Sequence, residues 1–150
     1  SKVDFELKEE IILPALLQEI GKFILSDLIV SENKTELFKS KVASGCSIEE
    51  VERELFGFTT SEITSKIFRY WKLSENLISM IEFVDNIEKA SDEYKKKTQI
   101  LDVIKTACQV SAPLSDSNVE KAIEKANKYG LDTKILKKAI EILQDRLLDE

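Results

Sequence analysis

The 150-residue chain contains no histidine. No Ser–His or Cys–His nucleophile pair can form within it, and a metal would find no imidazole ligand. Cysteine is almost as scarce. Cys46 and Cys108 lie far apart and form no Cys-x-x-Cys pair, so a reducing cytoplasm is the expected compartment. Cys108, in an apolar helical run, is expected to be a buried thiol, and Cys46, after Gly45, an exposed one in a turn. With only 4 Gly and 2 Pro there is little turn chemistry and no glycine-rich phosphate loop, so helices should dominate. The longest apolar stretches, such as Ile11 to Leu17, fall far short of the roughly 20 residues that span a bilayer. Ser1 to Glu10 mixes charges and does not read as a secretory signal.

What is present is a balanced globular composition, 43% hydrophobic and 33% charged. A chain of this length can bury a real core. The formal net charge is −6. Glu49, Glu50, Glu52 and Glu54 crowd one short segment. The one basic run, Lys95-Lys96-Lys97, follows Asp92 and Glu93 and reads as a solvated helix turn. Such a surface does not neutralise a phosphate backbone, so no nucleic-acid partner is expected.

The apolar spacing predicts an all-helical chain. A first long helix is expected over Glu6 to Val30, kinked or restarted at Pro14, with Ile11, Ile12, Ala15, Leu16, Ile20, Phe23, Ile24 and Leu28 at helical spacing. Asn33 with Glu36, Ser47 with Glu50, Thr59 with Glu62, and Ser117 with Glu120 read as capping boxes that open four further helices. Ser74, Ser91 and Asp132 open the others. Gly45, Gly57, Ala112-Pro113 and Gly130 mark ends. Ile100, Leu101, Val103, Ile104, Ala107 and Cys108 are the expected buried set of the Ser91 helix. Leu136, Ala139, Ile140, Leu143 and Leu147 form one face of the last. Trp71, the sole tryptophan, is expected as a core plug between helices, with a place in a ligand pocket as the alternative. Gly21 is expected to permit close helix packing, and Lys22 to be ion-paired.

Four segments recur in order along these helices: Gln18-Glu19-Ile20-Gly21-Lys22; Thr60-Ser61-Glu62 followed by Trp71-Lys72-Leu73-Ser74; Val84-Asp85; and Ile104-Lys105. Their order and placement resemble the HDOD (HD-related output domain) family, within the HD superfamily of metal-dependent phosphohydrolases. In that family the first segment reads His-Asp-x-Gly-Lys, the second His-x-Glu then Trp-Gly-Leu-Pro, the third His-His and the fourth Ala-Asp. The resemblance runs from about Glu9 to Cys108. It implies an HD-like helical bundle over residues 1–112, the C-terminal part of a larger domain, followed by a helical hairpin over 113–150. Phe5 and Leu7 fit an opening that once continued upstream.

Every ligand histidine of the family pattern is replaced. Gln18 offers a neutral amide, Thr60 a hydroxyl and Val84 nothing, while a Lys105 ammonium at the last ligand position would repel a cation. Glu19, Glu62 and Asp85 remain as oxygen donors but make a poor cage. The plainer expectation is that Glu62 caps its helix, Asp85 lies at the surface and Glu19 forms a local ion pair. No catalytic residue, metal or cofactor is therefore expected. By resemblance, the expected role is a regulatory or output module in bacterial signalling, acting through a protein partner that no residue identifies. The alternative is nucleotide sensing without turnover, in a degenerate pocket of Gln18, Glu19, Lys22, Thr60, Glu62, Trp71, Asp85 and Lys105. Apolar surface left exposed on the first helix is expected to be covered by something absent from this chain or by another copy, and would favour self-association.

Overall fold

The computed structural model describes the backbone of residues 2–109 and 111–148 and the side chains of residues 10–109 and 111–146. Every regular element among them is helical: α1 (Lys2–Leu17), α2 (Gly21–Ser31), α3 (Thr35–Ala43), α4 (Ile48–Phe56), α5 (Thr60–Tyr70), α6 (Glu75–Glu82), a 3-10 turn (Ile87–Lys89), α7 (Asp92–Ala107), α8 (Asp116–Lys128) and α9 (Thr133–Leu148). The side chains of Phe5, Leu7 and Leu147 lie outside the described residues.

The expected first helix is two helices, and the break is not at proline. Pro14 stays inside α1, where its carbonyl accepts from the Gln18 N–H at 2.9 Å. The ladder breaks at Gln18–Ile20, because a hydroxyl from another helix enters it. Thr64 Oγ1 of α5 accepts from the Gly21 N–H at 2.9 Å. Its own proton lies between the carbonyls of Gln18, at 3.1 Å, and Thr60, at 2.9 Å. A side chain that enters the helical ladder in this way bends or breaks it.

Gly21 is what lets Thr64 come so close. A Cβ there would lie 2.4 Å from the Thr60 carbonyl oxygen and 2.7 Å from Thr64 Oγ1. The first of these is backbone and cannot swing aside.

Two capping expectations fail for identifiable reasons. Asn33 closes α2 rather than opening α3: it takes a left-handed φ of 55°, and the next N–H, of Lys34, returns to the Ile29 carbonyl at 2.9 Å. Asparagine tolerates that conformation. Helix α8 starts two residues earlier than expected, with Ser115 accepting from the Asn118 N–H at 3.4 Å. Leu114, left-handed at φ 55°, sets that earlier entry. The boxes at Ser47 with Glu50 and Thr59 with Glu62 are both complete.

The core has two lobes that share α7. One gathers Phe68, Leu77, Ile78, Met80, Ile81, Val84 and Leu101, from α5, α6, the loop after it and α7. The other gathers Val103, Ala107, Leu114, Ala122, Ala126 and Ile140, from α7, the turn after it, α8 and α9. Residues two apart on a helix point to different faces, so Leu101 serves one lobe and Val103 the other.

Several expected core positions are outside. Cys108 is exposed at the end of α7, Ile100 and Ile104 are half-buried, and Ala139 and Leu143 are exposed on α9. Leu16, Phe23 and Trp71 are largely exposed. Trp71 stacks on Phe68 at a centroid distance of 6.0 Å but fills no gap between helices.

Gly21→Ala is expected to destabilise the fold by about 1–3 kcal/mol, as overpacking does, although alanine favours helix by about 1 kcal/mol. Urea unfolding of the two proteins checks this; equal midpoints would show that α2 and α5 do not press together at Gly21.

Candidate functional site

The site is assembled where α4, the start of α5, the loop after α6 and the last turn of α7 meet. Helix α4 presents Glu49, Glu52 and Arg53 at i, i+3 and i+4, close together on its surface. Glu52 stands between Ile48 and Leu55 on the apolar stripe of α4, so burial of Val51 draws it inward. It is 2% exposed.

Glu52 takes both donors that Thr60 offers at the head of α5. Its Oε2 accepts from the Thr60 N–H at 2.7 Å and its Oε1 from Thr60 Oγ1 at 2.6 Å. Burial raises its pKa above the ordinary 4.5, and the two Thr60 bonds offset part of that. One residue earlier, Thr59 caps α5. Its Oγ1 accepts from the Glu62 N–H and donates to Asp85 Oδ2 at 3.0 Å. Glu62 closes the box on the Thr59 N–H at 3.1 Å and accepts from Arg53 at 2.8 Å. Burial works against the Glu62 charge, but Arg53 and the Thr59 N–H outweigh it and lower its pKa.

Lys105 lies at the centre. Its Nζ donates to Asp85 Oδ1 at 2.6 Å and to Glu49 Oε1 at 2.8 Å, with the side chains of Lys105 and Asp85 only 11% and 12% exposed. Burial opposes the ammonium, yet the two carboxylates overcome it and hold its pKa above the ordinary lysine value. Burial likewise opposes the Glu49 carboxylate, and Lys105 overcomes that and lowers its pKa. The chain Glu49–Lys105–Asp85–Thr59–Glu62–Arg53 is continuous. Chemically it is a set of acids whose charges are already met by protein cations and hydroxyls.

One turn before Lys105 on α7, Asp102 accepts from Lys125 and from the Tyr129 hydroxyl, each at 2.7 Å. This second cluster ties α8 to the helix that carries Lys105. Of the basic run on α7, Lys95 pairs with Glu88 and Lys97 with Glu10.

The residues singled out from the sequence fall into three places. Thr60, Glu62, Asp85 and Lys105 come together around Thr59. Gln18 is buried at the α1–α2 break, with its Oε1 unpartnered, and Glu19 pairs with Lys22 beside it. Trp71 opens on a separate groove with Ile20, Phe23 and Ile24. Asp85, expected at the surface, is mostly buried because Lys105 and Thr59 enclose it. Glu49, Glu52, Arg53 and Thr59 belong to the site without having been picked out for it. Glu52 had a legible signal, a carboxylate on an apolar helical stripe. Glu49 had none, since its partner is 56 positions away. Among the described residues no group of three or more Cys, Asp or Glu side chains is arranged to hold a metal ion.

The HDOD domain family matches this chain over residues 1–87. No curated protein matches it. Among solved structures, a virulence factor from Campylobacter jejuni subsp. jejuni superposes with a TM-score of 0.65 at 20% identity, covering 86% of this chain and 49% of that one. A putative phosphohydrolase from Shewanella amazonensis SB2B superposes with a TM-score of 0.63 at 22% identity, covering 90% of this chain and 50% of that one. The chain thus spans about half the length of either protein, and the likeness is one of fold.

Two outcomes follow from the site. Lys105→Met leaves the mostly buried Asp85 and the half-buried Glu49 without their cation and should cost about 3 kcal/mol, the low end of the range for breaking a buried pair because solvent reaches Glu49. Adding Asp85→Asn should recover part of that, as read by denaturant unfolding; no loss in the single variant would mean the two carboxylates are solvated. Glu52 gives a pH signature of opposite sign to Glu49. Its folded pKa is raised, so the folded protein binds the extra proton and stability falls as pH rises through the interval above 4.5. Glu52→Gln should therefore gain on the wild type as pH rises through that interval, then keep a constant difference. Melting temperatures whose difference does not change with pH would show that Glu52 is not charged against its burial.

Proposed function

The chain belongs to the HDOD family, and on that premise we propose that it is a non-catalytic regulatory module of bacterial signalling, acting through protein–protein contact. The observation that carries this reading is Lys105. In the family pattern a metal would sit among these positions, to polarise a phosphoryl group and activate water. Here an ammonium stands between Asp85 and Glu49, and no imidazole is available anywhere in the chain. A divalent cation would have to displace that ammonium and would gain only carboxylates already paired. Thr59 and Arg53 engage the remaining oxygens of Asp85 and Glu62, so neither of these two carboxylates is left without a partner.

A helical scaffold emptied of its chemistry keeps its surfaces. Nucleotide sensing by a degenerate pocket has less support, since Glu19 and Lys22 satisfy each other and Trp71 faces a different groove.

Purified protein is expected to leave bis(p-nitrophenyl) phosphate intact with manganese, iron(II) or magnesium present, and its melting temperature should not rise with any of them. Metal-dependent turnover that is lost in Asp85→Asn would contradict the proposal. A melting shift with a nucleotide panel, in the absence of turnover, would move the function to sensing.

A further inference from the structure

Three aromatic side chains stand in solvent, two of them, Phe23 and Trp71, where core is expected. Phe23 is 80% exposed, Tyr70 85% and Trp71 56%. With Ile20, Ile24 and Ile67 they line an open groove of about 520 Å³ between α2 and α5, and Lys66 is the one charged residue of its lining. The platform beneath is firm: Leu25 of α2 and Phe68 of α5 are buried, and Gly21 locks the two helices together.

We propose that this face is the interface of a symmetric dimer, in which α2 and α5 of one copy pack on α2 and α5 of a second. Three arguments point to a second copy of this chain. The first is area. Aromatic side chains bury about 150–250 Å² each, so Phe23, Tyr70 and Trp71 offer on the order of 400 Å² at their exposures. Ile24, with Leu16 and Leu73 flanking the groove in sequence, brings the face toward the roughly 800 Å² per partner of a stable interface. A monomer rarely leaves so large an apolar patch uncovered.

The second argument is shape. A two-fold interface must be self-complementary, and this face carries both halves of such a contact, the projecting Phe23 ring and the groove beside it. The third is charge. Two chains of net charge −6 repel over most of their surfaces, but no carboxylate lines this groove. At its edge, Asp27 lies one turn beyond Phe23 and Ile24 on α2, and Lys66 lies on α5, both exposed. In the proposed dimer Lys66 of each copy meets Asp27 of the other, opposite charges from the two helices that form the face. This inference does not depend on the regulatory reading.

Sedimentation velocity on the 150-residue chain tests it, read together with the emission of Trp71, the sole tryptophan. A species of twice the 17.1 kDa chain mass should grow in with concentration, with Trp71 emission shifting to the blue in step. Phe23→Glu, at an exposed position, should abolish both changes while circular dichroism stays unaltered. Lys66→Glu should weaken association by about tenfold, and Asp27→Lys with Lys66→Glu should restore it. A monomer into the hundreds of micromolar overturns the proposal. So does a dimer indifferent to Phe23→Glu, or a monomer that retains a different protein on this face.

Discussion

The ammonium of Lys105 is the contact on which the arrangement of the site depends. It joins α7 to α4 through Glu49 and to the loop after α6 through Asp85. Without it, two acids from distant parts of the chain would face each other in a mostly buried place, and like charges there are costly. With it, each acid is met and the neighbouring groups fall into line. Asp85 receives the Thr59 hydroxyl, Thr59 caps α5, and the cap engages Glu62 and through it Arg53. The same stretch of α7 carries Asp102, whose bonds to Lys125 and Tyr129 fix α8. One helix thus anchors the candidate site on one side and the C-terminal hairpin on the other.

Hydroxyl groups do much of the remaining work. Thr59, Thr60 and Thr64 are all buried at the head of α5, and each spends its oxygen on a group from elsewhere in the chain. Thr60 holds Glu52, Thr59 holds Asp85, and Thr64 enters the break between α1 and α2. A threonine at a helix start is read most simply as a local cap, and Thr59 is one. The tertiary bonds of the other two have no local signature. That is why the Gln18–Ile20 break was not foreseen, whereas Pro14, the obvious candidate, leaves its helix intact.

What the sequence conveyed well was local chemistry with a short reach. The capping boxes at Ser47 and Thr59 formed, Gly57 ends α4 in a left-handed turn, the all-helical class holds, and the family is the one the four segments resemble. What it conveyed poorly was which apolar face turns inward. Leu16, Phe23 and Trp71 satisfy helical periodicity yet stand outside, because periodicity identifies a stripe without saying whether this chain or another molecule covers it. Asn33 misled for a related reason, since the same residue type that opens a helix also closes one. The pairing of Glu49 with Lys105 lay beyond any local pattern, because only the tertiary fold brings two residues 56 positions apart together.

The most direct test of the account is a nitrogen-15 titration of the lysine side chains, with the Lys105 ammonium assigned by its loss in Lys105→Met. The account predicts a slowly exchanging ammonium that stays protonated above the pH at which exposed lysines titrate, and that is undisturbed by added manganese. A Lys105 signal that titrates with the other lysines would show that Asp85 and Glu49 do not hold it, and one that broadens and moves as manganese binds would show that the site takes a metal.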